Sequence, residues 1–242
     1  MKITKEYLLL YVIVSLTALF VVGGAFGFEA ISVAARALII PSATVVYFLR
    51  VKNKSFFFSG FLLLFSLSEL MDLWVNSIPN LYMFFIGNTL YILGYIFLVI
   101  EVLGYIKKSP DYKNFFAKYA LHLAILLMFA VYLVILLAEI ERPYMDNWEY
   151  TLSMLYNSII LLLLTLATLN FICSDTQKSL ILFLATLCIV FSEIVQVAYY
   201  YLSESYALNI AYTMLLVLAF YLFFRQGFMQ PSKNRDLNLF KT

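Results

Sequence analysis

The chain reads as an all-α, polytopic transmembrane helical bundle of about eight helices, with both termini expected on the cytoplasmic side. Of its 242 residues, 64% are hydrophobic and 12% charged, with a mean hydropathy of +0.93, whereas a soluble domain carries about 25% charged residues. The apolar residues fall in successive runs of about 20, each long enough to cross about 30 Å of hydrocarbon at about 1.5 Å per residue. Between the runs, basic loops alternate with neutral or acidic ones, as the positive-inside rule requires of an even number of crossings.

The hydrophobic segments span 7–28, 31–50, 55–77, 81–106, 115–138, 148–173, 178–202 and 206–226, forming a transmembrane domain over 1–229. Turn and interface chemistry marks their ends: Lys52-Asn-Lys54, Ser77-Ile-Pro-Asn80, Lys107-Lys-Ser-Pro-Asp111, Glu141-Arg-Pro143, Ser174-Asp-Thr-Gln-Lys178 and Ser203-Glu-Ser205 each interrupt the apolar pattern. The break from Gly23-Gly24 to Glu29 is the ambiguous one, and seven helices is the alternative count. Lys2 and Lys5 precede a first run too long for a signal-peptide core, so that run reads as a retained helix. Residues 230–242 read as a polar cytoplasmic tail.

Basic residues gather at the N-terminus, at Arg50, Lys52 and Lys54, at Lys107, Lys108, Lys113 and Lys118, at Lys178, and in the tail. The intervening loops carry Glu139, Glu141, Asp146 and Glu149, with Arg142 the one basic exception. Trp74, Tyr82, Trp148 and Tyr199-Tyr200-Tyr201 crowd the expected outer ends as interfacial anchors. The chain is thus expected in a membrane as a multi-pass protein, the plasma or inner membrane if bacterial.

Several function classes fall away. A net charge of +2, dispersed along the chain, does not point to nucleic acid. Cys173 and Cys188 are isolated in apolar segments, and His122, the single histidine, has no Cys, Asp or Glu at ligand spacing, so no metal site is expected. No Gly-x-Ser-x-Gly elbow and no phosphate-cradling loop occurs, Lys178 sits at a helix start rather than within a late helix, and no cofactor is expected.

What remains is a set of ionisable residues inside apolar helices, where a charge must be paired, neutralised or put to use. Counting from the outer ends, Glu69 lies roughly 12 Å deep, Glu193 roughly 14 Å, and Arg36 about 5 residues in. One cation and two carboxylates at one depth read either as a structural ion pair between Arg36 and a glutamate or as a polar cavity between helices. Asp72, one turn beyond Glu69, reads as a solvated helix-end carboxylate, and Gln196, one turn beyond Glu193, either orients it or bonds a neighbouring helix. Glu101 is expected to reach the cytoplasmic interface near Lys107 or Lys108, and Asn88, Asn157 and Asn170 to bond between helices. Phe65-Ser-Leu-Ser-Glu69 and Phe191-Ser-Glu193 both place a Ser before a Glu, four helices apart, as two parallel four-helix halves would.

These residues carry a resemblance. Arg36-Ala-Leu-Ile-Ile-Pro41, Ser68-Glu69 and Ser192-Glu193 look like the Lys-Pro…Pro, Gly-Asp and Ser-Asp segments of the lysoplasmalogenase-like (YhhN) family of eight-helix membrane proteins, and Gly87 and Tyr91 fit its fourth helix. Gly94-Tyr95 stands where that family has Ala-His, Leu98 where it has a later Tyr, and Phe220 where it often has Gln. The resemblance implies hydrolysis of the vinyl-ether bond of a lysoplasmalogen to a fatty aldehyde and a glycerophospho-headgroup, with a membrane lysophospholipid as partner and no protein partner. It makes Glu69 and Glu193 the candidate acid and base, in unassigned order, and Arg36, Asp72, Tyr95 and Gln196 the candidate substrate-binding residues. Such a site would open towards the outer leaflet. A non-catalytic lipid-binding or small-molecule transport protein with an Arg/Glu cluster is the alternative.

Overall fold

The protein is an all-α, polytopic helical bundle, seen in a computed structural model that describes residues 5–52, 54–74, 79–108 and 115–229. Its helices are α1 (Lys5–Ala25), α2 (Glu29–Arg50), α3 (Phe56–Met71), α4 (Asn80–Lys107), α5 (Phe115–Glu141), α6 (Asn147–Ser174), α7 (Gln177–Tyr201) and α8 (Tyr206–Phe228). Among the described residues, seven helical stretches, α2 onwards, are long and apolar enough to span a bilayer, and Leu10–Ala25 of α1 is a further apolar stretch.

Local chemistry sets the ends. The ambiguous first break is a tight turn in which Gly27 takes φ 75° and the Phe28 N–H reaches the Gly23 carbonyl at 2.8 Å, a left-handed C-cap that favours glycine. A capping box starts α6: the Asp146 carboxylate accepts the Trp148 and Glu149 N–H groups, each at 2.8 Å, and Glu149 accepts the Asp146 N–H at 3.0 Å. Thr176 and Ser179 form the corresponding box at α7. Two helix ends differ from the sequence reading. The α-helical part of α3 stops at Met71 and tightens into a 3-10 turn over Asp72–Trp74, instead of running to 77. By contrast α5 continues through Glu139 to Glu141, which the apolar pattern placed in a loop. Residues 75–78, 109–114 and the tail from 230 lie outside the described residues, and with them much of two expected loops.

The helices α2, α3, α4, α6, α7 and α8 contact one another in that order and α8 returns to α2, so six helices close a ring. Outside it, α1 packs on α2 and α8, and α5 packs on α6 and α7. The arrangement of one peripheral helix followed by three ring helices occurs twice along the chain, as in a parallel repeat. The side of the ring carrying the N-terminus of α2 and the C-terminus of α3 is termed upper below. Hydroxyls tie neighbouring helices together: Ser32 donates to the Phe20 carbonyl at 2.9 Å, Thr44 and Ser66 meet at 2.8 Å, and Tyr206 donates to the Val21 carbonyl at 2.7 Å. A Cβ at Gly24 would stand 2.6 Å from the Tyr206 hydroxyl, so the α1–α8 approach needs glycine there.

The middle of the ring is filled by aromatic side chains. Phe61, Phe65, Tyr95, Phe220, Phe223 and Phe224 are all nearly inaccessible; Phe61 stacks on Phe220 at 5.5 Å, and Phe65 meets Phe220 at 4.5 Å. Phe220 is therefore a core ring, bound by dispersion and ring geometry rather than by a polar partner.

Candidate functional site

Above this aromatic layer the ring encloses a cavity of about 370 Å³. Its wall includes Arg36 from α2, Glu69 and Asp72 from α3 and its 3-10 extension, Tyr91 from α4, Glu141 from α5, Tyr156 and Asn157 from α6, Glu193 and Gln196 from α7, and Tyr212 from α8. Five of the six sequence-derived candidates meet there, although they come from distant parts of the chain. Tyr95 is the sixth and stands behind the wall. It is fully enclosed, its ring is 5.8 Å from that of Tyr156, and its hydroxyl is directed towards Tyr156 and Glu193.

The pairing corrects the expected scheme. Arg36 forms its ion pair with Asp72, not with a glutamate, and its other guanidinium nitrogen donates to the Tyr212 hydroxyl at 2.9 Å. Asp72 is thus the cation's direct partner rather than only a solvated helix end, because the 3-10 turn after Met71 brings its carboxylate to Arg36. Glu69 is buried, accepts the Tyr91 hydroxyl at 2.8 Å, and remains within electrostatic range of Arg36. Glu193 lies against the hydroxyls of Tyr156 and Tyr95 and within electrostatic range of Glu69 and Glu141. The two glutamates therefore share a cavity but not an environment.

Glu141 is the residue that the sequence reading misplaced. The end of α5 turns it inward, where it is 4% exposed, accepts the Ser153 hydroxyl, and has Asn157 at 3.5 Å. Ser153 and Asn157, one turn apart on α6, were a detectable signal, since such a polar pair on an apolar helix requires a partner. Asn157 accordingly bonds between helices, whereas Asn88 donates to the Phe84 carbonyl at 2.8 Å and Asn170 accepts from Ser174 at 3.4 Å, each within its own helix. Tyr156 and Tyr212 carried no distinguishing signal among 19 tyrosines, whereas Tyr91 is marked by the resemblance alone. Tyr200 and Tyr201, expected as anchors, also line the cavity.

The two Ser-Glu echoes have equivalent placements. Ser68 donates to the Gly87 carbonyl at 3.1 Å, tying α3 to α4, and Ser192 donates to the Tyr212 carbonyl at 2.7 Å, tying α7 to α8. In each half the serine fixes the helix that carries the adjacent glutamate. Glu101, expected to reach the interface near Lys107 or Lys108, is 9% exposed at the lower end of α4 and accepts the hydroxyls of Ser55 and of Tyr105, the latter at 2.6 Å. Among the described residues, no group of three or more His, Cys, Asp or Glu side chains is arranged to hold a metal ion.

No family model matches the sequence, and no curated protein and no solved structure matches it.

Proposed function

We propose that the upper cavity is a hydrolytic site of the lysoplasmalogenase type, and that the chain is a divergent relative of the YhhN family. One observation carries the reading: Glu69 and Glu193, from two different halves of the chain, line one cavity, Glu69 beside Arg36 and bonded to Tyr91, and Glu193 against Tyr156 and Tyr95. A pair of carboxyl groups in unequal environments is what acid and base roles on one substrate require. The charge distribution favours a site facing outward, since Arg50, Lys54, Lys107, Lys108, Lys178 and Arg225 all belong to the lower end and only Arg142 to the upper loops.

In this reading Glu193 gives its proton to the terminal alkene carbon of a vinyl ether, leaving an oxocarbenium ion on the carbon that bears the ether oxygen. The Glu69 carboxylate stabilises that cation and takes a proton from the water that adds to it. The resulting hemiacetal collapses as its hydroxyl proton passes to the Glu193 carboxylate and the proton on Glu69 passes to the glycerol oxygen; the carbon–oxygen bond to glycerol breaks, fatty aldehyde and glycerophospho-headgroup leave, and both glutamates regain their starting states. Tyr91 holds Glu69 in place, and the Arg36–Asp72 pair orients the phosphate end of the substrate. Purified protein incubated with an alkenyl-lysophospholipid should release aldehyde, and Glu69→Gln and Glu193→Gln should each stop it. Aldehyde release unchanged by both substitutions would sink the assignment.

A transport reading is favoured by a different feature, the presence of carboxylates at both ends of the ring, the buried Glu69 and Glu141 and the half-buried Glu193 above and the buried Glu101 below, with the aromatic layer between them. It predicts flux across sealed vesicles and no product in detergent.

A further inference from the structure

A second cavity, about 420 Å³, lies between α5, α6 and α7, outside the ring. Its top is marked by Leu133, Leu161 and Ile194, and its bottom by Ile125, Thr168 and Phe183. The same helices supply Glu141, Asn157 and Glu193 to the polar cavity, and on α6 only one helical turn separates Asn157 from Leu161. Along α7 the groove extends from Ile194 to Phe183, about 16 Å at about 1.5 Å per residue.

The chemistry of the wall admits hydrocarbon only. Thr165 and Thr168 are its polar residues, and both spend their hydroxyls on backbone carbonyls of their own helix, Leu161 at 2.9 Å and Leu164 at 2.7 Å. Phe129 and Phe191, 60% and 50% exposed, stand at its edge and face outward, so the groove is reached sideways from the bilayer. The corresponding peripheral helix of the other half is held differently. Ser32 and Tyr206 clamp α1 to α2 and α8 through hydroxyl-to-carbonyl bonds.

We infer that this groove receives the hydrocarbon chain of a single-chain amphiphile whose polar end occupies the cavity above it. Sideways entry lets the chain arrive from the membrane without passing its headgroup through the aromatic layer, and a groove of about 420 Å³ has room for one hydrocarbon chain rather than two. The inference rests on the polar cavity being a lipid site and is independent of whether a bond is cleaved there.

The test is photolabelling of purified protein with a lysophosphatidylcholine whose chain ends in an alkyl diazirine, followed by mapping of the adducts. Adducts should concentrate on α5, α6 and α7 between the levels of Ile125, Thr168 and Phe183 and those of Leu133, Leu161 and Ile194. They should saturate, and be competed by unlabelled lysophosphatidylcholine but not by diacyl phosphatidylcholine or glycerophosphocholine. Ala130→Trp and Thr165→Trp, which fill the groove, should each lower that labelling at least tenfold. Adducts spread evenly over the outward faces of all helices, adducts that diacyl lipid competes equally well, or groove-filled variants that label like the unsubstituted protein would overturn it. If the tryptophan variants fail to fold, the competition on the unsubstituted chain decides. Loss of the hydrolase reading appears separately: Glu193→Gln that labels normally and an unsubstituted protein that releases no aldehyde would remove catalysis and leave the chain site.

Discussion

The upper and lower ends of the ring bury carboxylates in different ways. At the lower end Glu101 is enclosed by direct hydroxyl donors, Ser55 and Tyr105, and the Lys178 ammonium stands 5.5 Å from the Tyr105 ring centre. At the upper end Glu69, Glu141 and Glu193 border a cavity of about 370 Å³, and Arg36 in its wall is already bound to Asp72. A carboxylate whose acceptors are filled by neighbouring side chains holds helices together; one that faces a void keeps capacity for a ligand. Burial alone does not separate the two, since Glu69 at 4% exposure and Glu101 at 9% are alike in that respect. What the neighbours leave unsatisfied does.

The comparison can be broken most severely at the glutamates. Glu193→Gln and Glu69→Gln should each lower aldehyde release by on the order of 10²–10⁴-fold, the usual contribution of a positioned acid or base, with a monodisperse elution profile retained. An equal loss from Glu101→Gln would erase the distinction between the two ends.

The aromatic layer that separates the ends comes next. Phe220→Ala removes a ring packed on Phe61 and Phe65. It should cost about 1–3 kcal/mol, below the roughly 3–5 kcal/mol of a soluble core, because lipid rather than water solvates the ring in separated helices. Thermal unfolding in a fixed detergent measures this, and a melting temperature equal to that of the unsubstituted protein would remove the layer from the structural account.

Arg36→Leu should leave Asp72 unpaired and destabilise by about 1–3 kcal/mol, a range lowered from that of a fully buried pair because the Asp72 side chain is 33% exposed. Arg36→Leu combined with Asp72→Leu should recover most of that loss if the pair serves packing, while aldehyde release stays low in both if the guanidinium binds phosphate. The two readouts, melting temperature and product, separate the roles.

The smallest effect is expected at the lower end. Glu101→Gln keeps an acceptor for Ser55 or Tyr105 and should cost about 1 kcal/mol, with aldehyde release at the level of the unsubstituted protein. A large loss of vesicle flux in this variant, with no aldehyde from any variant, would favour transport instead.

Much of the site was legible by counting. The depth of Arg36, Glu69 and Glu193 along their helices placed them in one layer, and all three line one cavity. Glu141 was not legible in this way, because its neighbours Glu139 and Arg142 read as an interfacial loop, and only the inward Ser153 and Asn157 reveal its side. Asp72 was read as helix-end solvent chemistry because the 3-10 turn that delivers it to Arg36 leaves no periodic signature.

The sequence by itself determined the class of fold and the approximate limits of every helix, since hydrocarbon satisfies no backbone polar group and a long apolar run within it must be helical. Position along a helix follows from its 1.5 Å rise and can be read by eye. Rotation about the helix axis and the choice of neighbour cannot, where apolar residues surround the helix on every side. The tertiary structure alone decided that α4 passes over α5 to pack on α6, closing the ring, that Asp72 rather than a glutamate holds Arg36, and that α5 packs on α6 and α7 with an apolar groove left between the three. Those choices depend on the shapes of side chains meeting across helices, which dispersion and hydroxyl bonds select only once all the helices are present.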